Sequence, residues 1–496
     1  MQLANIHIAN LDRDRTPYEE CFPWRPLWEE ARIVRGEKTV AASEAVAAAA
    51  EPAISLAYLT SLFSTSTPET PQDRGPVAKA IQAEWQFDRP EDLSVAVEFK
   101  FLVPYRPHGA PATDDCHRLP PVATAEMIGS VASATDADRQ RLHDHAFRAI
   151  AATIRACDGQ DAISAPEMQQ RPQRQPLSAY WATHWLVKRS NSAEPSAAHP
   201  RYGDWLWVPV EINSPKLSWA DRRTTSATIR AVLRALHASH RIETNYSCEV
   251  HVHVGRRDGR RLSLPSLQRL AVLCWLAEPV LRGVKDPRSP NFVHKYTWSS
   301  PLRERSRLAA ELRNKQQQHY QKKQASELRA IRRILASRSH VELGQLMTGD
   351  ERPYRRLGFN FYSLVKETLS EADRTELETV ECRFLEGTMT EDAILGWLQI
   401  YGCLVERALA RDPTTCKVVA EQEEGLMLPL LGLLEQTGRC PSSATAEMFV
   451  SLMGDLGIDR SSFDPVLAII HRAQPVSTGT ENLLVTGDSS TPRPYV

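Results

Sequence analysis

Four segments of this chain alternate between apolar and ionisable residues, which restricts them to β-strands with two unlike faces, because side chains at i and i+2 share a side. In Cys248-Glu249-Val250-His251-Val252-His253-Val254-Gly255, the valines form one face and Glu249, His251 and His253 the other. The segment around Glu98 places Glu98 and Lys100 opposite Val97, Phe99 and Phe101. A third sets Glu211 beside Asn213, against Val210 and Ile212. The fourth sets Glu381 beside Arg383, against Val380, Cys382 and Phe384.

Each strand alone is an ordinary solvated sheet face; the recurrence is what argues for a site. An antiparallel sheet carries such asymmetry by packing helices on one side and opening a cleft on the other. Three carboxylates and a histidine pair gathered from distant strands suit an oxygen-preferring ion, Mg²⁺ or Mn²⁺.

At 496 residues, with 42% hydrophobic and 24% charged residues, the chain has the make-up of a globular protein with one large core or two. A net charge of −1 gives no reason to expect nucleic acid or an anionic membrane as partner. No secretory signal or membrane span is expected, and nine scattered cysteines without a CxxC pair fit a reducing, cytoplasmic setting.

The pattern predicts a loosely ordered extension over 1–90, a catalytic domain over 91–412, a helical part over 413–473 and a disordered tail over 474–496. Within these, helices are predicted for Asp136 to Ala156, Thr224 to Ser239, Pro265 to Val284, Glu391 to Ala410, Leu426 to Gln436 and Thr445 to Met453. A long basic helix, Arg303 to Arg338, carries 11 Lys/Arg and reads as a solvated face. Residues 158–178 read as a Gln/Pro-rich loop, and Tyr180 to Val187, Trp205 to Ile212, Arg356 to Val365 and Thr379 to Leu385 as strands. The fold class is therefore α+β, with a mostly antiparallel sheet.

Six blocks in order carry a resemblance: VEFKFLV (97–103), PVEINSPKL (209–217), NYSCEVHVHVG (245–255), PRSPNF (287–292), RRLGFNFYSL (355–364) and VECRFLEGTMTEDAILGWL (380–398). Through them the chain resembles the amidoligase family common in fungi, which is similar to glutamine synthetase and glutamate–cysteine ligase. The resemblance spans roughly residues 95 to 412. It implies a curved, glutamine synthetase-like sheet and an ATP-dependent carboxylate–amine ligase working through an acyl phosphate. Small-molecule carboxylate and amine substrates, ATP and Mg²⁺ follow from it, with secondary metabolism as the setting.

The resemblance also implies roles. Glu98, Glu211, His251 and Glu381 stand where metal ligands are expected, and Arg383 where an arginine contacts phosphate. His253 is placed to orient a ligand or substrate, and Glu386 to face the cleft. Arg356, Asn360 and Arg288, with Asn291, are candidates for nucleotide or substrate contact. Lys100 departs from the family, whose first strand usually carries a second acid there. A noncatalytic descendant that binds nucleotide or a partner protein is one alternative. A metal-dependent hydrolase is the other, although the later histidines do not fall at barrel strand ends.

Overall fold

The computed structural model describes residues 88–110, 120–126, 128–170, 177–285, 300–316, 323–349, 357–365, 378–409 and 446–473. The extension expected over 1–90 lies, up to residue 87, outside the described residues, as do the helix expected at Leu426 to Gln436 and the tail. Asp88, by contrast, is described and buried: its carboxylate accepts from the Ser263 amide and hydroxyl and pairs with Arg256.

Among the described residues, nine strands form one sheet: β1 (Leu93–Pro107), β2 (Ala123–Ala125), β3 (Ala162–Ser164), β4 (Trp185–Arg189), β5 (Leu206–Asn213), β6 (Leu217–Ser218), β7 (Glu249–Arg256), β8 (Phe359–Asn360) and β9 (Thr379–Glu386). The order is β3-β4-β5-β1-β7-β9-β8, with β2 and β6 also pairing to β1. Among these described strands, β1–β2 and β3–β4 pair in parallel and the other pairs are antiparallel. The path runs open from β3 to β8 and is uncurled, which corrects the curved sheet expected from the resemblance.

β1 is the axis of the architecture. Its 15 residues pair with β5 on one side and β7 on the other, and nearly every one is buried. A strand covered on both faces reads as a continuous apolar run, and SVAVEFKFLV is such a run apart from Glu98 and Lys100.

The helices used below are α1 (Asp136–Arg155), α2 (Leu177–Thr183), α3 (Arg222–Ser239), α4 (Leu264–Leu281), α5 (Arg307–Gln316), α6 (Lys323–Leu335), α7 (Glu391–Ala408), α8 (Ala446–Asp455) and α9 (Arg460–Ala473). Their starts follow ordinary capping. Thr135 and Asp138 make a reciprocal capping box on α1, Asp221 accepts from the Thr224 amide on α3, and Ser263 accepts from the Ser266 amide on α4. α4 is apolar nearly all round and is buried over most of its length, as such a helix must be. On the apolar side of the sheet, Phe359 of β8 packs edge-on against Phe384 of β9 and stacks on Tyr401 of α7.

Several expectations are corrected. Tyr180 to Thr183 belongs to α2, and the strand begins only at Trp185, after the His184 amide closes a turn onto the Tyr180 carbonyl. The supposed loop 158–178 contains β3 and a short helix, Ala165–Gln170. The long basic helix is broken at Ser306, an extended, fully buried residue bridging to Gly349. Arg303 pairs with Glu327 and Arg333 with Glu311 and Glu342, whereas Arg307, Arg313, Arg332 and Arg338 are exposed, as a solvated face requires. The strand expected over Arg356 to Val365 shrinks to Phe359–Asn360, followed by a 3₁₀ turn at Tyr362–Val365.

Candidate functional site

Register gathers the ionisable residues. Across β1 and β7, Glu98 stands opposite His251. Across β1 and β5, Glu98 stands opposite Asn213 and Lys100 opposite Glu211. His253 faces Glu381 across β7 and β9, and Asn360 of β8 faces Glu381 from the other side.

Glu386 reaches the same face through an irregularity. The β7–β9 register slips between Val250 and Val252, so that one residue of β7, His251, is matched by two of β9, Arg383 and Phe384. Simple alternation would group Leu385 with Glu381 and Arg383. The bulge reverses the parity beyond it and sets Glu386 opposite Glu249, which is the usual service of a bulge beside a site.

The resulting face is closed rather than the open cleft expected. Lys100 is 4% exposed, His251 0% and Glu381 5%. Buried charge persists only when paired, and these are paired densely. Glu98 Oε1 lies 3.0 Å from Lys100 Nζ and 2.9 Å from His251 Nδ1. That same Nδ1 is 2.8 Å from Glu381 Oε1, and His251 Nε2 is 3.0 Å from Glu249 Oε2. Lys285 Nζ closes the inner end, 3.2 Å from Glu249 Oε1. Arg383 donates to Glu381 Oε1 at 2.7 Å. The outer carboxylate oxygens are held by amides: Asn213 Nδ2 donates to Glu98 Oε2 at 2.9 Å, and Asn360 Nδ2 to Glu381 Oε2 at 2.7 Å.

Protonation follows from these neighbours. Burial opposes the charge on Glu98, but Lys100 and His251 overcome it and hold the carboxyl well below its usual range. Glu381 is likewise held down by Arg383, His253 and His251 against burial, and Glu249 by Lys285 and His251. Burial, Arg383 and Lys100 all oppose a charge on His251, yet Glu98 and Glu381 prevail and push its pKa up to about 9. His251 is therefore an imidazolium at neutral pH and has no lone pair to offer an ion.

His253 differs. Its Nδ1 sits 3.1 Å from Thr379 Oγ1, and its Nε2, buried, has no hydrogen-bond partner. Nε2 is directed between Glu98 Oε2 at 3.6 Å and Glu381 Oε1 at 3.7 Å, and in the tautomer whose Nδ1–H donates to the threonine it can offer its lone pair to an ion. Glu98, His253 and Glu381 each offer one ligand atom, all within 4.8 Å of one another, a grouping that could hold a metal ion.

Of the residues singled out in the sequence, the structure thus brings together Glu98, Lys100, His251, His253, Asn360, Glu381, Arg383 and Glu386. Glu211 stands apart from the trio, 2.7 Å from Lys188 Nζ. Arg288, Asn291 and Arg356 lie outside the described residues. Sequence reasoning missed Thr379, Lys285 and the anchoring role of Asn213. Asn213 carried a signal, sharing its face with Glu211; Lys285, a lone lysine after a buried helix, carried none.

Residues 167–404 match a family model described as "Putative amidoligase enzyme". The description points to a ligase-type function, and the matched span includes every site strand except β1. No curated protein matches the chain. Among the described residues, no helix is long and apolar enough to cross a membrane.

Proposed function

We propose that this protein is an ATP-dependent carboxylate–amine ligase whose site is the ionisable face of β1, β7 and β9. The observation that carries the reading is the trio Glu98, His253 and Glu381. An imidazole nitrogen stripped of solvent and of hydrogen-bond partners lies between two ionised carboxylates, and this is costly to build without a ligand to receive it. The family match supplies the ligase class.

The residues fit a divalent ion, which when bound supplies charge neutralisation at the nucleotide phosphates. Thr379 Oγ1 holds the His253 ring through Nδ1. Asn213 and Asn360 hold the outer oxygens of Glu98 and Glu381, so the donors need no rearrangement to bind. Arg383, beside Glu381, provides a planar guanidinium suited to a phosphoryl group. Burial of the face keeps water from competing with the amine.

In the proposed reaction a substrate carboxylate oxygen attacks the γ-phosphorus of ATP and ADP leaves. The amine nitrogen then attacks the acyl carbon, losing a proton as phosphate departs and the amide forms.

The test is purified protein with ATP, Mg²⁺ and a panel of carboxylates and amines, following ADP, phosphate and amide by mass. The expected result is ADP formation that requires both co-substrates and equals amide formed. Glu381→Gln and His253→Ala should each lower the rate at least about a hundredfold, the range seen for lost transition-state electrostatics. Nucleotide binding without turnover across the panel would replace the ligase reading with that of a noncatalytic binder.

A further inference from the structure

We infer that Asn213 belongs to the ion site itself, its Oδ1 accepting a hydrogen bond from a water that the bound ion carries. The inference rests on the reading of Glu98, His253 and Glu381 as metal ligands, and it adds to that trio a residue that selects among ions.

Two asparagines flank the trio and treat its carboxylates alike. Asn213 Nδ2 donates to Glu98 Oε2 at 2.9 Å, and Asn360 Nδ2 to Glu381 Oε2 at 2.7 Å. Their carbonyl oxygens differ. Asn360 Oδ1 accepts from the Tyr362 amide at 2.9 Å, whereas Asn213 Oδ1 is buried and has no donor among the described residues. Buried acceptors are satisfied in folded proteins with few exceptions, so this one calls for a partner. Turning the Asn213 amide round does not supply it, since Oδ1 would then face an ionised carboxylate, acceptor against acceptor.

Position identifies the partner. Oδ1 and Nδ2 are bonded to one carbon and stand about 2.3 Å apart, which puts Oδ1 within about 5 Å of Glu98 Oε2. That same carboxylate oxygen lies 3.6 Å from His253 Nε2, another buried atom with no hydrogen-bond partner. A hydrated divalent ion serves all three: the metal meets Glu98 and His253, and a water polarised by it donates to Asn213. Three protein ligands leave an ion such as Mg²⁺ further coordination positions, which it fills with water because it dehydrates reluctantly. Oδ1, held through Nδ2 to one of the ligands, is fixed in place to receive such a water, as the outer partners of a metal site are. Selectivity follows. Ca²⁺ takes a larger and more flexible shell of oxygens, so a residue that grips the water rather than the ion favours Mg²⁺.

Ion competition tests this and does not depend on turnover. Mg²⁺ and Ca²⁺ are each titrated against Mn²⁺ on the full-length protein, with free Mn²⁺ followed by electron paramagnetic resonance. Asn213→Ala is expected to raise the Mg²⁺ Kd at least about tenfold, the lower end of the range for lost outer partners of a metal site, and the Ca²⁺ Kd by a smaller factor. Asn360→Ala removes a hold of the same kind but no orphaned oxygen, and should weaken both ions by the same factor. Circular dichroism melts establish that each variant is folded. Asn213→Thr, whose branched side chain suits a strand and carries no oxygen at that reach, has the same expectation if Asn213→Ala does not fold. Wild-type protein holding Mn²⁺ in D₂O should also show the electron spin echo modulation of ion-held water, and this decides if neither variant folds.

A folded Asn213 variant that weakens Mg²⁺ and Ca²⁺ equally would reduce Asn213 to a clamp on Glu98 and overturn the inference while leaving the trio intact. An unchanged Mg²⁺ Kd, or a bound Mn²⁺ without water, would do the same. No Mn²⁺ on the wild-type protein would overturn the trio as a metal site and the inference with it.

Discussion

The two histidines of the β7 strand do opposite things although they share a face and are separated by one valine. His251 is wholly buried and ion-paired on both nitrogens, whereas His253 keeps one nitrogen bonded and the other available. The alternation made both visible; it could not rank them, since the distinction comes from Glu249 and Thr379, partners fixed by register. The difference has a pH signature. With its folded pKa raised from 6.5 to about 9, His251 binds its proton more strongly folded than unfolded. Its contribution is complete below the unfolded value and is lost as pH rises through the folded one. The depressed carboxylates Glu98, Glu249 and Glu381 run the other way, contributing above the usual carboxylate range and losing that as pH falls. Glu278, raised to about 7 by burial against its bonds to the Leu302 and Arg303 amides, adds a smaller fall in the same direction, since it finishes losing its proton only above neutral pH. Between pH 7 and 8.5, with chelator present, denaturant unfolding should therefore show stability falling, by up to about 2 kcal/mol over that window at 1.36 kcal/mol per unit. His251→Gln should flatten the slope. Stability that rises over this interval in the wild type would show that His251 is neutral in the fold.

At the scale of elements, the long periodic helices and strands were legible, whereas the short β3 and Ala165–Gln170, the helix α9 and special geometry were not. The amphipathic stretch that became α1, the buried run of α4 and the four alternating strands were all read from periodicity, because each satisfies its backbone within a regular repeat. The β9 bulge escaped, since nothing in Thr379 to Glu386 announces a change of parity, and with it the reason Glu386 lies on the ionisable face. The break at Ser306 escaped too, because basic helical spacing continues through it. Glycine in α7 carries a further lesson. A Cβ at Gly396 would run into the backbone carbonyl of Ser462 on α9, so the helices approach at a point where only glycine fits. Gly396→Ala should gain about 1 kcal/mol of helix propensity but lose about 1–3 kcal/mol to overpacking against an unyielding backbone. The melting temperature is expected to drop by several degrees. An increase would mean that α9 can shift from α7 at no cost.

Taken whole, the molecule places its most important strand where family likeness is weakest. The matched span, 167–404, begins after β1 and α1. Yet β1 separates β5 from β7 and supplies hydrogen bonds to both, along with Glu98 and Lys100. Without it, β5 and β7 would each present an unpaired edge flanked by apolar side chains such as Val210, Ile212, Val250 and Val252, the condition under which strands pair between molecules. The ion-paired face would also lose its balance: His251 and His253 would keep Glu381 but not Glu98, and a buried pair broken on one side costs about 3–5 kcal/mol. That loss alone is comparable with the net stability of a typical domain. The matched segment is therefore not an independent folding unit. Expressed as residues 167–404, it should aggregate or show a broad, non-cooperative melt and bind no Mn²⁺, whereas a chain spanning 88–473 should unfold cooperatively and bind Mn²⁺ as the full protein does. A cooperatively folded, metal-binding 167–404 fragment would remove β1 from the site and require the donors to be sought among β7, β8 and β9 alone.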